Sequence, residues 1–191
     1  MSFLAFANGP LLPASRRGFL KSSGLLLSGT AVALLAGRES LAAAGTATEA
    51  DARILNTALA AELEAVAAYQ VGAESGLLQK PALDLAVTFQ GHHREHAEVL
   101  AKTIEKLGGK PAAAKARYDF PTAKLKNQAD VLRFAAALEK GAVSAYLGAV
   151  PVFANRDLAK AAASILGDEA MHWAILRQAV GEVPVPSAFV A

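Results

Sequence analysis

The chain has 191 residues, enough for one domain with a sizeable core but too few for two ordinary ones. Hydrophobic residues make up 53% and charged residues 19%, which is typical of a globular rather than a disordered chain. There is no cysteine, which excludes disulfides, zinc–cysteine sites, iron–sulfur clusters and thiol nucleophiles. Beyond residue 44 the chain has 15 basic and 16 acidic side chains, so no basic surplus indicates a nucleic-acid partner.

Residues 1–44 have the pattern of an export signal. Arg16 and Arg17 precede Phe-Leu-Lys, an uncharged run covers 22–37, and small residues fill 42–44. A charged region, an apolar region and a small-residue cleavage site follow one another in secretory signals, and the arginine pair resembles a twin-arginine signal. We therefore expect cleavage after residue 44 and a periplasmic protein that meets the membrane only during export. The alternative is an uncleaved N-terminal membrane anchor.

The rest of the chain predicts four helices. From residue 51 it is rich in Ala, Leu, Glu and Lys, which favour helix, and it has no alternating β-branched run long enough for a strand. Pro81 suits a first helical position, and glycines at 76, 108, 109 and 181 suit helix ends. The predicted helices cover about 51–75, 81–107, 128–150 and 155–180. Residues 182–191 form a tail without helical periodicity.

The connections between these helices predict their arrangement. The first two helices are joined by a few residues, and so are the last two, which favours two antiparallel hairpins. Residues 108–126 form a longer segment with prolines at 111 and 121, long enough to cross the bundle end to end. Two hairpins joined by such a crossover are the ferritin-like form of the all-α four-helix bundle.

Each predicted helix has an apolar stripe that is interrupted by acidic or histidine side chains near its middle. Burying an isolated carboxylate costs several kcal/mol, so such groups need partners. Histidines or acids spaced i, i+3 on a helix share a face and can reach one ion or an adjacent pair. Oxygen and imidazole donors suit iron, manganese or zinc. The candidate metal ligands are Glu62, His93, His96, Glu139, Glu169 and His172.

Two tyrosines repeat a spacing relative to these acids. Tyr69 follows Glu62 by seven residues, and Tyr146 follows Glu139 by seven. A buried tyrosine hydroxyl needs a hydrogen-bond partner, so we expect both to hold ligands in place. They could also be plain core aromatics.

Other polar residues are weaker candidates. Glu64, Glu95 and Glu98 share their helix faces with other polar residues, which predicts that these faces are exposed to solvent. His92 lies on the same face as Glu95 and is therefore also expected to be exposed. A hydrogen-bonded structural core without metal also stays open as an interpretation of the buried polar set.

These residues resemble the ferritin-like superfamily, and bacterioferritin in particular. Residues 61–69 are similar to its first ligand helix, and 168–172 match its Glu-x-x-His motif. Glu139 with Tyr146 is similar to the third-helix pair. The segment 150–190 is similar to an exported, desiccation-related branch of these proteins.

The resemblance implies roles for the candidate ligands. Glu62 and His96 would hold one ion, Glu139 and His172 the other, and Glu169 would bridge them. His93 stands where the family usually has a second bridging glutamate, which leaves three negative charges instead of four. Such a site is compatible with one or two ions of iron or manganese, or with a zinc or manganese pair. Alternatively, it is the remnant of a metal site that no longer binds metal.

Two classes of function follow from this resemblance. One is an exported metal-dependent oxidase or peroxidase in stress protection. The other is a non-catalytic stress-protective or structural bundle with a degenerate metal site. The family also implies a possible homo-oligomer.

Overall fold

The structure is a computed structural model, and it describes residues 47–190. The predicted signal therefore lies outside the described residues. Four α-helices form the described part: α1 Ala47–Glu74, α2 Ala82–Lys106, α3 Gln128–Ala149 and α4 Arg156–Ala179. Short 3-10 turns cover Thr122–Lys124 and Val150–Val152, and residues 47–190 contain no strand. The all-α prediction is confirmed, and each helix begins and ends within four residues of its predicted bounds.

Local sequence explains where the helices begin and end. Gly76, Gly108 and Gly181 follow α1, α2 and α4 with φ of 70°, 77° and 78°, the left-handed conformation that glycine adopts without steric cost. The side chains of Asn127 and Asn155 accept backbone N–H groups in the first turns of α3 and α4. These caps satisfy groups that have no partner inside the helix.

Two side-chain contacts establish the direction of the helices. Asn56, near the start of α1, accepts the backbone N–H of Ala112, which follows the end of α2. Gln128, at the start of α3, accepts the backbone N–H of Gln79 in the connection between α1 and α2. The segment 107–127 therefore runs from one end of the bundle to the other, and α3 runs parallel to α2. This is the predicted ferritin-like arrangement of two hairpins and a crossover.

The bundle interior has two apolar parts with a polar level between them. Leu59, Leu100, Tyr146 and Ile165 belong to one apolar cluster. The other cluster is built by Tyr69, Phe89, Val131, Leu132 and Leu176. In every helix the buried acidic or histidine residues lie between the positions that supply these two clusters, except Asp51 near the start of α1.

Within residues 47–190, no helix is both long enough and apolar enough to cross a bilayer.

Candidate metal centre

The structure brings all six predicted ligands to one level of the bundle core. Each helix contributes at least one of them, so the set is assembled by the tertiary fold. Five are almost completely buried, and His96 keeps 16% of its side chain exposed. The six residues are Glu62 on α1, His93 and His96 on α2, Glu139 on α3, and Glu169 and His172 on α4.

His93 lies at the centre of the set. Its Nδ1 is 2.7 Å from Oε2 of Glu62, and its Nε2 is 3.3 Å from Oε1 of Glu139. Oε1 of Glu169 is 3.6 Å from the same Nδ1. The imidazole therefore contacts all three buried carboxylates, in the position where the ferritin-like pattern usually has a carboxylate.

The ligand atoms form two overlapping groups of metal-binding size. Within each group the donor atoms lie within 4.8 Å of one another, and both groups share His93 and Glu169. One group is Glu62, His93, His96 and Glu169; the other is His93, Glu139, Glu169 and His172. Glu62 and His96 thus fall in one group, and Glu139 and His172 in the other.

Glu169 lies between the two groups without a hydrogen bond of its own. It is fully buried, and neither carboxylate oxygen has a hydrogen-bond partner. Its Oε1 is 3.1 Å from Nδ1 of His96 and its Oε2 is 3.7 Å from Nδ1 of His172, yet neither contact has hydrogen-bond geometry. Buried polar atoms are almost always paired in folded proteins. Unpaired oxygens between inward-facing imidazole nitrogens fit a cation with oxygen and nitrogen ligands.

Two tyrosines hold the outer carboxylates from the opposite helix. The hydroxyl of Tyr146 on α3 donates to Oε1 of Glu62 on α1 at 2.6 Å. The hydroxyl of Tyr69 on α1 donates to Oε1 of Glu139 on α3. Both tyrosines are buried, so these bonds satisfy their hydroxyl groups and link α1 to α3 across the site.

The charges of the metal-free site are balanced by protons. Burial lowers the pKa of His93, but its hydrogen bonds to Glu139 and Glu62 outweigh this effect and raise the pKa to about 11. Burial also lowers the pKa of the other two histidines, but the neighbouring acidic side chains raise it by more. Glu169 and Glu62 raise the pKa of His96 to about 9, and Glu139 and Glu169 raise that of His172 to about 9. All three imidazoles are therefore protonated near neutral pH.

Two further residues, His92 and Asp168, belong to the neighbourhood of the site, although the sequence pattern predicted no role for them. Nδ1 of His92 lies 2.8 Å from Nε2 of His172, and Oδ2 of Asp168 lies 3.2 Å from each of these nitrogens. The helical period places His92 on the same stripe as Glu95 and so predicts a solvated position, because its backbone lies beside the buried face of α2. The available signal was the adjacent pair His92-His93 together with the i, i+4 spacing of Asp168 and His172.

The rival acids behave largely as predicted. Glu95 and Glu98 are exposed, and Glu98 pairs with Lys102. Glu64 is only half-exposed, and burial raises its pKa while Lys115 acts in the opposite direction. Glu64 and Glu62 both line a cleft between α1 and α3, and the cleft wall is mainly alanine: Ala58, Ala61, Ala65, Ala142, Ala145 and Ala149.

Comparisons with solved structures agree with this fold. The crystal structure of a conserved hypothetical protein, rv2844, from Mycobacterium tuberculosis superposes with a TM-score of 0.65 at 23% identity, covering 75% of this chain and 99% of that one. A ferritin-like, diiron-carboxylate protein from Bacillus anthracis str. Ames superposes with a TM-score of 0.60 at 20% identity, covering 71% and 99%. At these identities the likeness shows the fold alone.

Comparison of the sequence itself identifies the family. No curated protein sequence gives a significant match. Residues 50–182 match the family described as "Ferritin-like domain", and this range includes all four helices except the first turn of α1. With the fold and the buried Glu/His set in agreement, the chain belongs to the ferritin-like domain family.

Proposed function

We propose that this protein binds two transition metal ions, iron or manganese, in the core of its four-helix bundle. The observation that carries the proposal is Glu169, a fully buried carboxylate whose oxygens have no hydrogen-bond partner although two inward-facing imidazoles lie beside it. In this arrangement Glu169 would bridge the ions. Glu62 with His96 would complete one ligand set, and Glu139 with His172 the other.

His93 distinguishes this site from a site with four carboxylates. As a neutral ligand it would add a second imidazole to one of the ions and would leave three carboxylates to balance the metal charge. Binding would also release the protons that His93, His96 and His172 hold in the metal-free protein. A divalent pair therefore suits the donor set better than a pair of trivalent ions.

The enzyme form of the proposal is an oxidase or peroxidase that acts in stress protection. Bound iron or manganese would supply one-electron redox chemistry with dioxygen or peroxide. The cleft between α1 and α3 would admit a small uncharged oxidant, because its alanine wall offers few polar groups before Glu62 and His93. Tyr69 and Tyr146 would keep Glu139 and Glu62 in their ligand orientations through the hydrogen bonds that they donate.

A second function is favoured by a separate observation. His93 already closes the centre of the metal-free cluster through its contacts with Glu62 and Glu139. A neutralised, hydrogen-bonded core of this kind would stabilise a non-catalytic bundle. Such a bundle would act in stress protection or sequester metal, without catalysing a reaction. Turnover separates this alternative from the enzyme, and metal content shows whether such a bundle still holds metal.

The proposed location is the periplasm. It is supported by the arginine pair and the apolar run that follows it within residues 1–44. Replacement of both Arg16 and Arg17 by lysine should leave the precursor in the cytoplasm, which fractionation and immunoblotting would detect. Unimpaired export of that variant would contradict the proposed route.

The metal proposal is tested by elemental analysis of wild type and Glu169→Gln after incubation with ferrous or manganous ions and removal of unbound metal. The substitution keeps the side-chain volume but removes the bridging charge, so we expect wild type to hold two ions and the variant to lose most of them. Glu95→Gln, on the exposed face of α2, is the matched control and should bind as wild type does. Equal and negligible metal in all three proteins would overturn the proposal.

Turnover then decides between the two functions. We would follow ferrous-iron oxidation with dioxygen or peroxide in wild type, using Glu169→Gln to measure the background. Metal binding without oxidation above that background would favour the non-catalytic bundle.

A further inference from the structure

The polar edge of the site carries a second set of metal donors. His92 on α2 and Asp168 and His172 on α4 offer three donor atoms that lie together at the surface between these helices. Their side chains become less exposed from the solvent inward: 41% for His92, 23% for Asp168 and 2% for His172. The set therefore connects solvent to the buried cluster.

The donor atoms have the spacing that a bound transition metal requires. The two ring nitrogens are 2.8 Å apart, and Oδ2 of Asp168 is 3.2 Å from each. Ligands about 2.1 Å from a metal ion are about 3.0 Å apart at adjacent octahedral positions and about 3.4 Å apart in a tetrahedron. The triangle of donors is close to one face of an octahedron.

Hydrogen bonding alone accounts poorly for this triangle. The contact between the two rings has hydrogen-bond geometry, whereas neither contact of Asp168 with these nitrogens does. A single proton can occupy the line between the two rings, which leaves the carboxylate oxygen close to both nitrogens without a hydrogen atom directed at it. A cation placed over the triangle would contact all three donors.

His172 connects this outer set to the inner one. Its Nδ1 faces Glu139 and Glu169 at 3.5 and 3.7 Å, while its Nε2 faces His92 and Asp168. The ring of Phe89 stacks on it with centroids 3.9 Å apart, which holds the imidazole in this orientation. A neutral imidazole has one lone pair for a metal, so His172 can ligate on one side only unless it loses both ring protons.

We propose that His92, Asp168 and His172 form an outer site for a divalent transition metal ion, through which ions load into the buried cluster. Two imidazoles and one carboxylate with open positions are a donor set used for iron(II) and zinc. The existence of the outer site is independent of the buried one, whereas its role in loading rests on the proposed function. Because His172 serves one side at a time, it passes to the inner ion as the buried cluster fills, and His92 and Asp168 then hold the outer ion.

The experiment is a Co²⁺ titration of the purified protein, followed by visible absorption and equilibrium dialysis. His92→Asn removes an outer donor and touches no inner carboxylate. Glu62→Gln removes an inner donor and has no contact with His92 or Asp168. Glu95→Gln is again the exposed control.

We expect His92→Asn to lose one equivalent of Co²⁺, or to bind it at least about tenfold more weakly, while Glu62→Gln retains that equivalent. His92→Asp, which keeps a donor oxygen, should recover part of the affinity. Wild-type stoichiometry and affinity in His92→Asn would overturn the outer site. Loss of Co²⁺ in His92→Asn but not in Glu62→Gln would leave the outer site standing and contradict the buried one. If wild type binds no Co²⁺, both fail.

Loading is measured separately by stopped-flow mixing with Co²⁺. The inner equivalents should fill at least several-fold more slowly in His92→Asn than in Glu95→Gln, although their final number is unchanged. An unchanged filling rate would overturn the loading role.

Discussion

At the residue scale, the most informative contacts are those that carboxylates make across the bundle. Glu62 on α1 accepts from Tyr146 on α3, and Glu139 on α3 accepts from Tyr69 on α1. The acid on α1 is thus held by a tyrosine on α3, and the acid on α3 by a tyrosine on α1. Such a hydrogen bond to a carboxylate contributes more than one between neutral groups, and it also limits the directions in which the acid can turn.

The first prediction tests one of these bonds. Tyr146→Phe leaves Oε1 of Glu62 buried without its donor, so we expect the free energy of unfolding of the metal-free protein to fall by about 1.5–3 kcal/mol. Metal affinity should fall about tenfold or more, because Glu62 loses the contact that orients it. Urea unfolding and Co²⁺ titration measure the two effects.

Tyr118→Phe is the matched control for this prediction. Tyr118 is outside the site, where it stacks on Phe120 and accepts a backbone N–H at 3.2 Å. Its loss should change stability by less than about 1 kcal/mol and metal affinity not at all. If the two variants behave alike, the contact between Tyr146 and Glu62 has no special role.

The sequence predicted the identity of the buried polar residues better than their contacts. Helical periodicity placed Glu62, His93 and Glu169 on apolar faces, and that is sufficient to predict burial. It could not place His92, whose ring reaches the site from the border of the buried face, because periodicity describes backbone direction and not side-chain reach. The partners of the two tyrosines were also beyond it, since each lies 70 or more positions away along the chain.

At the element scale, Asp51 fixes how the second hairpin meets the first. It is buried near the start of α1. Its two carboxylate oxygens accept the backbone N–H groups of Ala154 and Asn155 at 2.8 and 2.9 Å. These donors lie where α4 begins. A carboxylate at a helix N-terminus is favoured by the helix dipole as well as by the two hydrogen bonds.

The second prediction follows from this contact. Asp51→Ala removes the charged acceptor of two backbone N–H groups at the start of α4, so the free energy of unfolding should fall by about 1.5–3 kcal/mol. Asp157→Ala is the control, because Asp157 is an exposed acid in the first turn of the same helix and should cost at most about 1 kcal/mol. Urea denaturation monitored by circular dichroism compares them. Equal effects would mean that Asp51 acts only through the helix dipole.

Helix bounds and hairpin pairing were predictable because their signals are local. Glycine after α1, α2 and α4, and asparagine before α3 and α4, act within one turn of the helix end. The length of segment 108–126 was enough to predict a crossover. The role of Asp51 was not predictable, because its partners are 103 and 104 residues away in the chain and no local pattern distinguishes it from a solvated acid.

At the scale of the whole molecule, the bundle offers two different approaches to one buried cluster. Between α1 and α3 the approach is an alanine-lined cleft, and between α2 and α4 it is the polar edge formed by His92 and Asp168. The first suits an uncharged oxidant and the second a cation. In the metal-free state the cluster between them is balanced by protons on three histidines, so metal binding and fold stability are coupled.

The last prediction concerns His93→Glu, which restores the usual ferritin-like ligand pattern. In the metal-free protein it replaces an imidazolium, hydrogen-bonded to Glu62 and Glu139, by a fourth buried acid. Removing one partner of a buried ion pair costs about 3–5 kcal/mol, so the metal-free variant should unfold at a clearly lower temperature than wild type. With two ions bound, the added carboxylate balances metal charge instead of repelling its neighbours. We therefore expect tighter binding of the second ion and faster ferrous-iron oxidation.

Thermal unfolding with and without metal measures this reversal. At a metal concentration about 1,000 times the dissociation constant, binding adds about 4 kcal/mol to stability, so saturating Mn²⁺ should raise the variant's melting temperature by more than it raises that of wild type. Elemental analysis gives the stoichiometry of each protein in parallel. A variant that is as stable as wild type without metal would show that His93 does not balance the buried acids. A variant that is destabilised but binds the second ion no more tightly than wild type would show that the four helices, and not the identity of residue 93, limit what the site can hold.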